Sequence, residues 1–149
     1  MRLSDHFTLS ELTKSETASR KGIKNKPSDT AVENLILVCN EILEPVREKY
    51  KIPFSPSSGF RCIALNRAIG SSDNSQHIEG KAVDFEIPGV GNKEVALWVK
   101  ENVDFDQLIL EFHKEEDPKS GWIHCSYNLD REHRKSARIF DGRKWTALE

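Results

Sequence analysis

A carboxylate inside an apolar segment constrains this sequence more than any other feature. Asp84 lies within "KAVDFEI" (residues 81–87), where it alternates with Val83, Phe85 and Ile87. Strict alternation of this kind predicts a half-buried β-strand. A carboxylate tolerates such a low-dielectric position only when a partner satisfies its charge. The fold must therefore bring a suitable partner to Asp84.

The length and composition describe one ordinary globular domain. With 149 residues, of which 37% are hydrophobic and 31% charged, the chain suits a single domain, residues 1–149. A net charge of −2 without a long basic stripe argues against a nucleic-acid partner. There is no run of about 18 apolar residues and no secretory leader, so we expect no membrane insertion and a cytoplasmic location as synthesised. The three cysteines lack the spacing of a thiolate zinc site.

Hydrophobic periodicity predicts an α+β fold, with a small, mostly antiparallel sheet and helices packed on one side of it. The clearest helix spans about Asp29 to Tyr50, and Pro45 should kink it or start a new turn. Shorter helices are predicted within residues 62–70 and 93–103. Three strands are predicted, over residues 81–87, 105–113 and 121–128. A short fourth strand is predicted within the tail, residues 138–148.

Alternation along these strands places several polar side chains on one face of the sheet. That face is expected to carry Asp84, Glu111 and His124, and His77 can reach it from the loop before the first strand. Two imidazoles and one carboxylate form a zinc ligand set of the catalytic type, which leaves the fourth position to water. Spacing alone also allows a plain binding domain without metal, in which His77 is a surface histidine and His124 a hydrogen-bonded sheet residue.

Three motifs, in order, resemble those of a known family. They are "SGFR" (58–61), "SQHIEGKAVDF" (75–85) and "GWIH" (121–124). They resemble the SGYR, SxHxxGxAxD and WxH motifs of the zinc D-Ala-D-Ala carboxypeptidases and related peptidoglycan peptidases. The N-terminal "HFTLSELTKSETA" and "NKP" resemble the phage-associated, single-domain branch of that family. The resemblance covers most of the chain and implies a Hedgehog/DD-peptidase-like fold, a Zn²⁺ cofactor and a peptidoglycan stem peptide as substrate.

The resemblance also implies roles for individual residues. The metal ligands of the family fall on three positions: His77, Asp84 and His124. Arg61 falls on the arginine that engages a substrate carboxylate or developing negative charge. Ser75 and Gln76 either orient their loop or bind substrate, with plain loop polarity as the alternative. Gly80 is expected to allow a tight turn between the first two ligands.

The general base of the family has no counterpart at its usual position. Many members carry an acidic residue three positions before the last histidine, where this chain has Gly121. Glu111 is the candidate base, because a hairpin would bring it beside the metal. His113, expected on the same face, is the alternative base or a transition-state donor, whereas Phe112 is expected to face the core. A solvent-facing carboxylate on an edge strand is the other interpretation of Glu111.

Two functions follow from the resemblance. The first is a zinc peptidase that hydrolyses an amide bond in stem peptides, as a D-Ala-D-Ala carboxypeptidase or as an L-Ala-D-Glu endopeptidase. The second, which Gly121 favours, is a non-catalytic zinc-containing module of the same fold that binds cell wall or serves in a phage particle. A chain without an export signal would reach the wall through a phage lysis pathway. The oligomeric state leaves no trace in the sequence.

Overall fold

The computed structural model describes residues 1–149 as an α+β fold around a five-stranded mixed sheet. The strands, in chain order, are β1 (Ala82–Phe85), β2 (Gln107–Glu111), β3 (Trp122–Ser126), β4 (Ser136–Phe140) and β5 (Trp145–Ala147). They lie in the order β1-β3-β2-β4-β5. The β1–β3, β2–β3 and β4–β5 pairings are antiparallel, which agrees with the predicted mostly antiparallel sheet. The parallel β2–β4 pairing was not predicted, and neither was the second strand in the tail.

The helices are α1 (Leu9–Thr13), α2 (Glu16–Lys21), α3 (Asp29–Val38), α4 (Glu44–Tyr50), α5 (Ile63–Ala68) and α6 (Asn92–Asn102). A π turn over Cys39–Leu43 joins α3 to α4, so the helix predicted for residues 29–50 continues without a break. Pro45 lies in the first turn of α4, where its missing amide hydrogen costs little because the wider π turn precedes it. No helix combines the length and the apolar character needed to cross a membrane.

The hydrophobic core lies between the sheet and its two longest α-helices. α3 packs on β1, and α6 packs on β2 and β3. Alternate residues of β1, β2 and β3 are fully buried in this core: Val83, Phe85, Leu108, Leu110, Ile123 and Cys125. The intervening residues of the same strands point to the other face. A 3₁₀ turn over Gln76–Glu79 leads into β1 at the edge of that face.

Strand β2 ends earlier than the sequence predicted, and this changes the position of Phe112. The backbone of Phe112 has φ 55°, a left-handed conformation that ends the alternation after Glu111. The Phe112 ring is 44% exposed and stacks on Trp122 with 5.1 Å between ring centroids. The expectation that Phe112 faces the core was therefore wrong, because the strand stops one residue before it.

Candidate metal centre

Three side chains converge where β1, β3 and the 3₁₀ turn meet. His77 comes from the turn, and Asp84 lies directly opposite His124 in the β1–β3 register. One nitrogen or oxygen of each residue lies within 4.8 Å of those of the other two. Asp84 Oδ1 is 3.0 Å from His124 Nδ1 and 3.4 Å from His77 Nε2. The structure thus brings together the three residues that the motifs assigned to the metal.

The "SGFR" motif positions this group through its backbone. The amide of Asp84 donates to the carbonyl oxygen of Ser58 at 2.8 Å, so the motif runs beside β1. The amide of Arg61 donates to the carbonyl oxygen of His77 at 3.1 Å. His77 Nδ1 in turn donates to the carbonyl oxygen of Gly59 at 2.7 Å. The motif therefore holds one ligand on each side of it and carries Arg61 next to both.

The hydrogen bond to Gly59 leaves His77 suited to bind a metal ion. Because a carbonyl oxygen only accepts, Nδ1 carries the hydrogen and Nε2 presents a lone pair. Nε2 is buried without a hydrogen-bond partner, in a side chain that is 2% exposed. Burial also lowers the pKa of His77, which favours the neutral imidazole that metals bind. This orphaned nitrogen, together with a second imidazole and a carboxylate, fits a divalent cation such as zinc.

Asp84 is ionised in this setting. Its side chain is 14% exposed, and burial alone would raise its pKa. The contacts with His77 and His124 outweigh burial and hold the pKa well below its usual range. Asp84 therefore has two imidazoles as partners and is charged, as a carboxylate that binds a metal ion must be.

Gly80 makes the turn between the first two ligands. It ends the 3₁₀ turn with φ 73°, a conformation that glycine adopts without strain. A Cβ at this position would lie 2.6 Å from the carbonyl oxygen of Ala31 in α3. Both the backbone conformation and the packing require glycine here, which confirms the predicted tight turn.

Glu111 stands beside the three ligand candidates at the end of β2. It lies opposite Trp122 in the β2–β3 register, and Trp122 Nε1 donates to Glu111 Oε2 at 2.6 Å. The other carboxylate oxygen, Oε1, has no hydrogen bond within the protein. Burial raises the pKa of Glu111 above its ordinary value, although His124 acts in the opposite direction. A carboxylate with a raised pKa and a free oxygen is suited to accept and return a proton.

The geometry of the hairpin explains Gly121, which stands where the family has an acid. Its φ is 73°, and a Cβ on it would lie 1.9 Å from the carbonyl oxygen of Glu111. Any side chain at this position, acidic or not, would collide with the strand that carries Glu111. The glycine is therefore a requirement of the local backbone.

One cavity of about 550 Å³ contains the group. Its polar wall includes the three ligand candidates with Arg61, Ser75 and Glu111, and its apolar wall is formed by Ile69, Phe112, Trp122 and Phe140. Burial lowers the pKa of the Arg61 guanidinium, and the charges of Asp84 and Glu111 act in the opposite direction. Arg61 Nε is buried without a partner. The cavity thus holds one cation close to two carboxylates.

Ser75 and Gln76, the two loop candidates, take different positions. Ser75 lines the cavity, and its Oγ accepts a hydrogen bond from the amide of His77 at 3.2 Å. Gln76 does not line the cavity, because its Nε2 donates to Asp106 Oδ2 at 3.1 Å. Ser75 therefore orients the start of the 3₁₀ turn from inside the site, and Gln76 ties the turn to β2 from outside it.

His113 lies in the turn beyond β2, with its Nδ1 3.1 Å from the carbonyl oxygen of Ser120. It is not among the residues that line the cavity, since the strand ends before it. Of the two candidate bases, the structure places Glu111 next to the ligand group.

Sequence reasoning missed the aromatic wall of the cavity and the buried Asp106. Trp122 shares its strand face with His124, so alternation gave a signal that was available. Phe140 gave none, because its place depends on the parallel β2–β4 pairing. Asp106 directly precedes β2, and the neighbouring residues do not indicate which side chains would bind it.

Comparison with known families identifies the chain. The family model of Peptidase M15 matches residues 5–126. The chain belongs to this family. The matched range contains all three ligand candidates, and Peptidase M15 is the zinc D-Ala-D-Ala carboxypeptidase-like family that the motifs resemble. A search of curated proteins found no match. Peptidase M15 members are typically zinc-dependent, which agrees with the His-Asp-His group.

Proposed function

We propose that this chain is a zinc metallopeptidase that hydrolyses an amide bond in peptidoglycan stem peptides. The observation that carries the proposal is the convergence of His77, Asp84 and His124 beside Glu111 in one cavity. Membership of Peptidase M15 supports a peptidase, and the motif resemblance supports the stem peptide as substrate. The proposal includes a single Hedgehog/DD-peptidase-like domain over residues 1–149 and action at the cell wall, reached through phage lysis.

Glu111 moves the proton in this reaction. When bound by the two histidines and Asp84, zinc supplies a Lewis acid that polarises the scissile carbonyl and lowers the pKa of water. Glu111 Oε1 accepts a proton from the attacking water and returns it to the leaving amine. Trp122 holds the other carboxylate oxygen, so the free oxygen keeps its orientation between the two transfers. The raised pKa of Glu111 suits a group that both takes and gives a proton.

Arg61 supplies the positive charge that the substrate meets. Its guanidinium binds a substrate carboxylate or stabilises the oxyanion that develops on the scissile carbonyl. The interaction is strengthened because the side chain is half-buried, where water screens charge less. The backbone hydrogen bond from Arg61 to His77 keeps the arginine and a metal ligand at a fixed separation.

The alternative, a non-catalytic module, has less support. Gly121 was the sequence feature that favoured it, and the hairpin requires a glycine there whatever the activity. A structural zinc site normally has four protein ligands, whereas this group contains three residues. Both observations favour a catalytic site with a position for water.

The test is mass spectrometry of the fragments released when zinc-loaded protein is incubated with purified peptidoglycan, with a chelator-treated control. Zinc-dependent release of free D-alanine supports a carboxypeptidase, and stem peptides cleaved after L-Ala support an endopeptidase. Glu111→Gln should keep zinc and lose a factor of about 10²–10⁴ in rate. A wild-type rate in that variant would refute Glu111 as the base. No release from several wall types would favour the non-catalytic module.

A further inference from the structure

A second and larger cavity, of about 890 Å³, adjoins the metal cavity. The two cavities share Arg61 and Ile69 in their walls. One side of the second cavity is formed by residues 14–20, which include the first part of α2, and the other by Ser57, Ser58 and α5. A peptide bound at the metal cavity can therefore extend past Arg61 into this space.

Cations predominate on the wall of this second cavity. Its charged residues are Lys14, Glu16, Arg20 and Arg61. None of the three cations takes part in an ion pair. Lys14 and Arg20 donate only to neutral hydroxyl groups, and Arg61 Nε has no partner. The wall thus carries more positive than negative charge, and none of its cations is in a direct ion pair with a carboxylate.

The balance of charge distinguishes this wall. Three cations and one carboxylate line it, in a chain whose net charge is −2. Clustered like charges raise the local potential and attract anions. Arginine and lysine in the wall of one concave surface can give a bound carboxylate charge-assisted hydrogen bonds, which are stronger than those to a neutral amide.

We propose that the second cavity is a substrate subsite in which Lys14 and Arg20 bind a carboxylate of the stem peptide away from the bond that is cut. The inference rests on the proposed function, because it extends the same substrate. The ligand class is an acidic peptide whose glutamyl residue keeps a free carboxylate, and amidation of that group weakens binding. Arg61, which lies in both walls, marks the boundary between the two subsites.

Two synthetic pentapeptides test the proposal. One is L-Ala-γ-D-Glu-L-Lys-D-Ala-D-Ala, and the other has D-isoglutamine in place of D-Glu, which replaces one carboxylate with an amide. Calorimetry with the zinc-loaded Glu111→Gln protein measures binding apart from turnover. We expect the acidic peptide to bind about tenfold more tightly, the usual gain from one charge-assisted hydrogen bond. Adding Lys14→Gln and Arg20→Gln should reduce the ratio to about one.

Lys21→Gln is the matched control, since Lys21 is an exposed cation of α2 that does not line the cavity. This variant should keep the tenfold preference. Lys14 and Arg20 are also exposed, so their variants should fold, and their zinc stoichiometry and unfolding midpoint verify this. A preference that persists without both cations refutes their role.

Equal affinity for the two peptides, or no binding of either, overturns the subsite. Failure of the proposed function looks different: the acidic peptide binds preferentially, but the zinc-loaded wild type cleaves neither peptide. Cleavage of both peptides with equal kcat/KM has the opposite meaning, because the peptidase then stands and the subsite is overturned.

Discussion

Two aspartates are largely withdrawn from solvent in this protein, and their partners differ: Asp84 meets imidazoles and Asp106 meets guanidinium groups. Asp106 is fully buried and accepts hydrogen bonds from Arg131, Arg134 and Gln76 at 2.9–3.2 Å. Burial alone would raise the pKa of Asp106, but these donors, with Arg134 foremost, hold it well below its usual range. A guanidinium stays charged at any pH that the protein meets, so Asp106 is neutralised within the chain.

Asp84 has polar partners, but no cation is hydrogen-bonded to it, although Arg61 lies in the same cavity. The two contacts of Asp84 are imidazoles, which carry no permanent charge as a guanidinium does. A divalent cation held by His77, Asp84 and His124 would supply the missing charge. This difference distinguishes a carboxylate that stabilises the fold from one that is available for chemistry. Asp106 is paired with arginines of the same chain, whereas Asp84 can bind a metal ion.

The largest expected effect is on zinc affinity, which substitution of Asp84 should weaken and substitution of Asp106 should not. His77→Ala, Asp84→Ala and His124→Ala should each abolish turnover and weaken zinc affinity by at least about a hundredfold, since removing a ligand costs more than removing its support. Asp106→Asn should still bind one zinc ion per chain. Zinc titration with a competing chromophoric chelator measures both. Equal loss of zinc in the Asp84 and Asp106 variants would end the distinction.

Unfolding of the metal-free protein should rank the two aspartates in the opposite order. Asp106→Asn removes the buried acceptor of the arginine hydrogen bonds and should cost roughly 2–3 kcal/mol, because the two arginines that it leaves are partly exposed and can be hydrated. Asp84→Asn exchanges a poorly compensated charge for an amide of the same shape and should cost about 1 kcal/mol. Urea denaturation of both variants in the presence of a chelator gives the two values. A larger loss for Asp84→Asn would mean that its imidazoles compensate it fully without metal.

Strand β2 joins the two regions, with Asp106 directly before it and Glu111 at its end. A substitution at Gly121 disturbs only the end that carries Glu111. Gly121→Ala places a Cβ against the carbonyl oxygen of Glu111 and should cost about 2 kcal/mol. Gly89→Ala is the control, because Gly89 also has a left-handed φ, 80°, but has no atom near its absent Cβ. It should lose only about 1 kcal/mol. Equal losses in urea denaturation would show that the hairpin relaxes around the new methyl group.

Much of the fold could be predicted because it depends on local periodicity. The helix over residues 29–50 and the strands β1, β2 and β3 follow from patterns that repeat every 3.6 or 2 residues. The parallel β2–β4 pairing could not be predicted, since it depends on a contact between distant segments that no turn signal specifies. The end of β2 at Glu111 was missed for a related reason, because the left-handed Phe112 has no glycine to mark it.

The site divides in the same way. The ligand group was predictable because alternation puts Asp84 and His124 on one face and the motif resemblance adds His77. Asp106 was not, because its cations come from the loop after β3, and sequence distance hides that contact. The second cavity was missed because Lys14 and Arg20 look like ordinary surface cations in the sequence, and only the structure shows that they line one cavity with Arg61.

The smallest expected effect is the pH dependence of the stability that Asp106 contributes. The folded-state pKa of Asp106 lies below its unfolded value of about 3.9, so its contribution to stability is complete above that pH and is lost as pH falls toward the folded-state pKa. The difference in unfolding free energy between wild type and Asp106→Asn should therefore be constant from pH 7 to about pH 5 and then shrink by at most about 1.4 kcal/mol per pH unit. Urea denaturation at a series of pH values measures this difference while other carboxylates cancel. A difference that stays constant below pH 4 would mean that the folded protein accepts a protonated Asp106 as well as an ionised one, and the built-in countercharge would then have no energetic role.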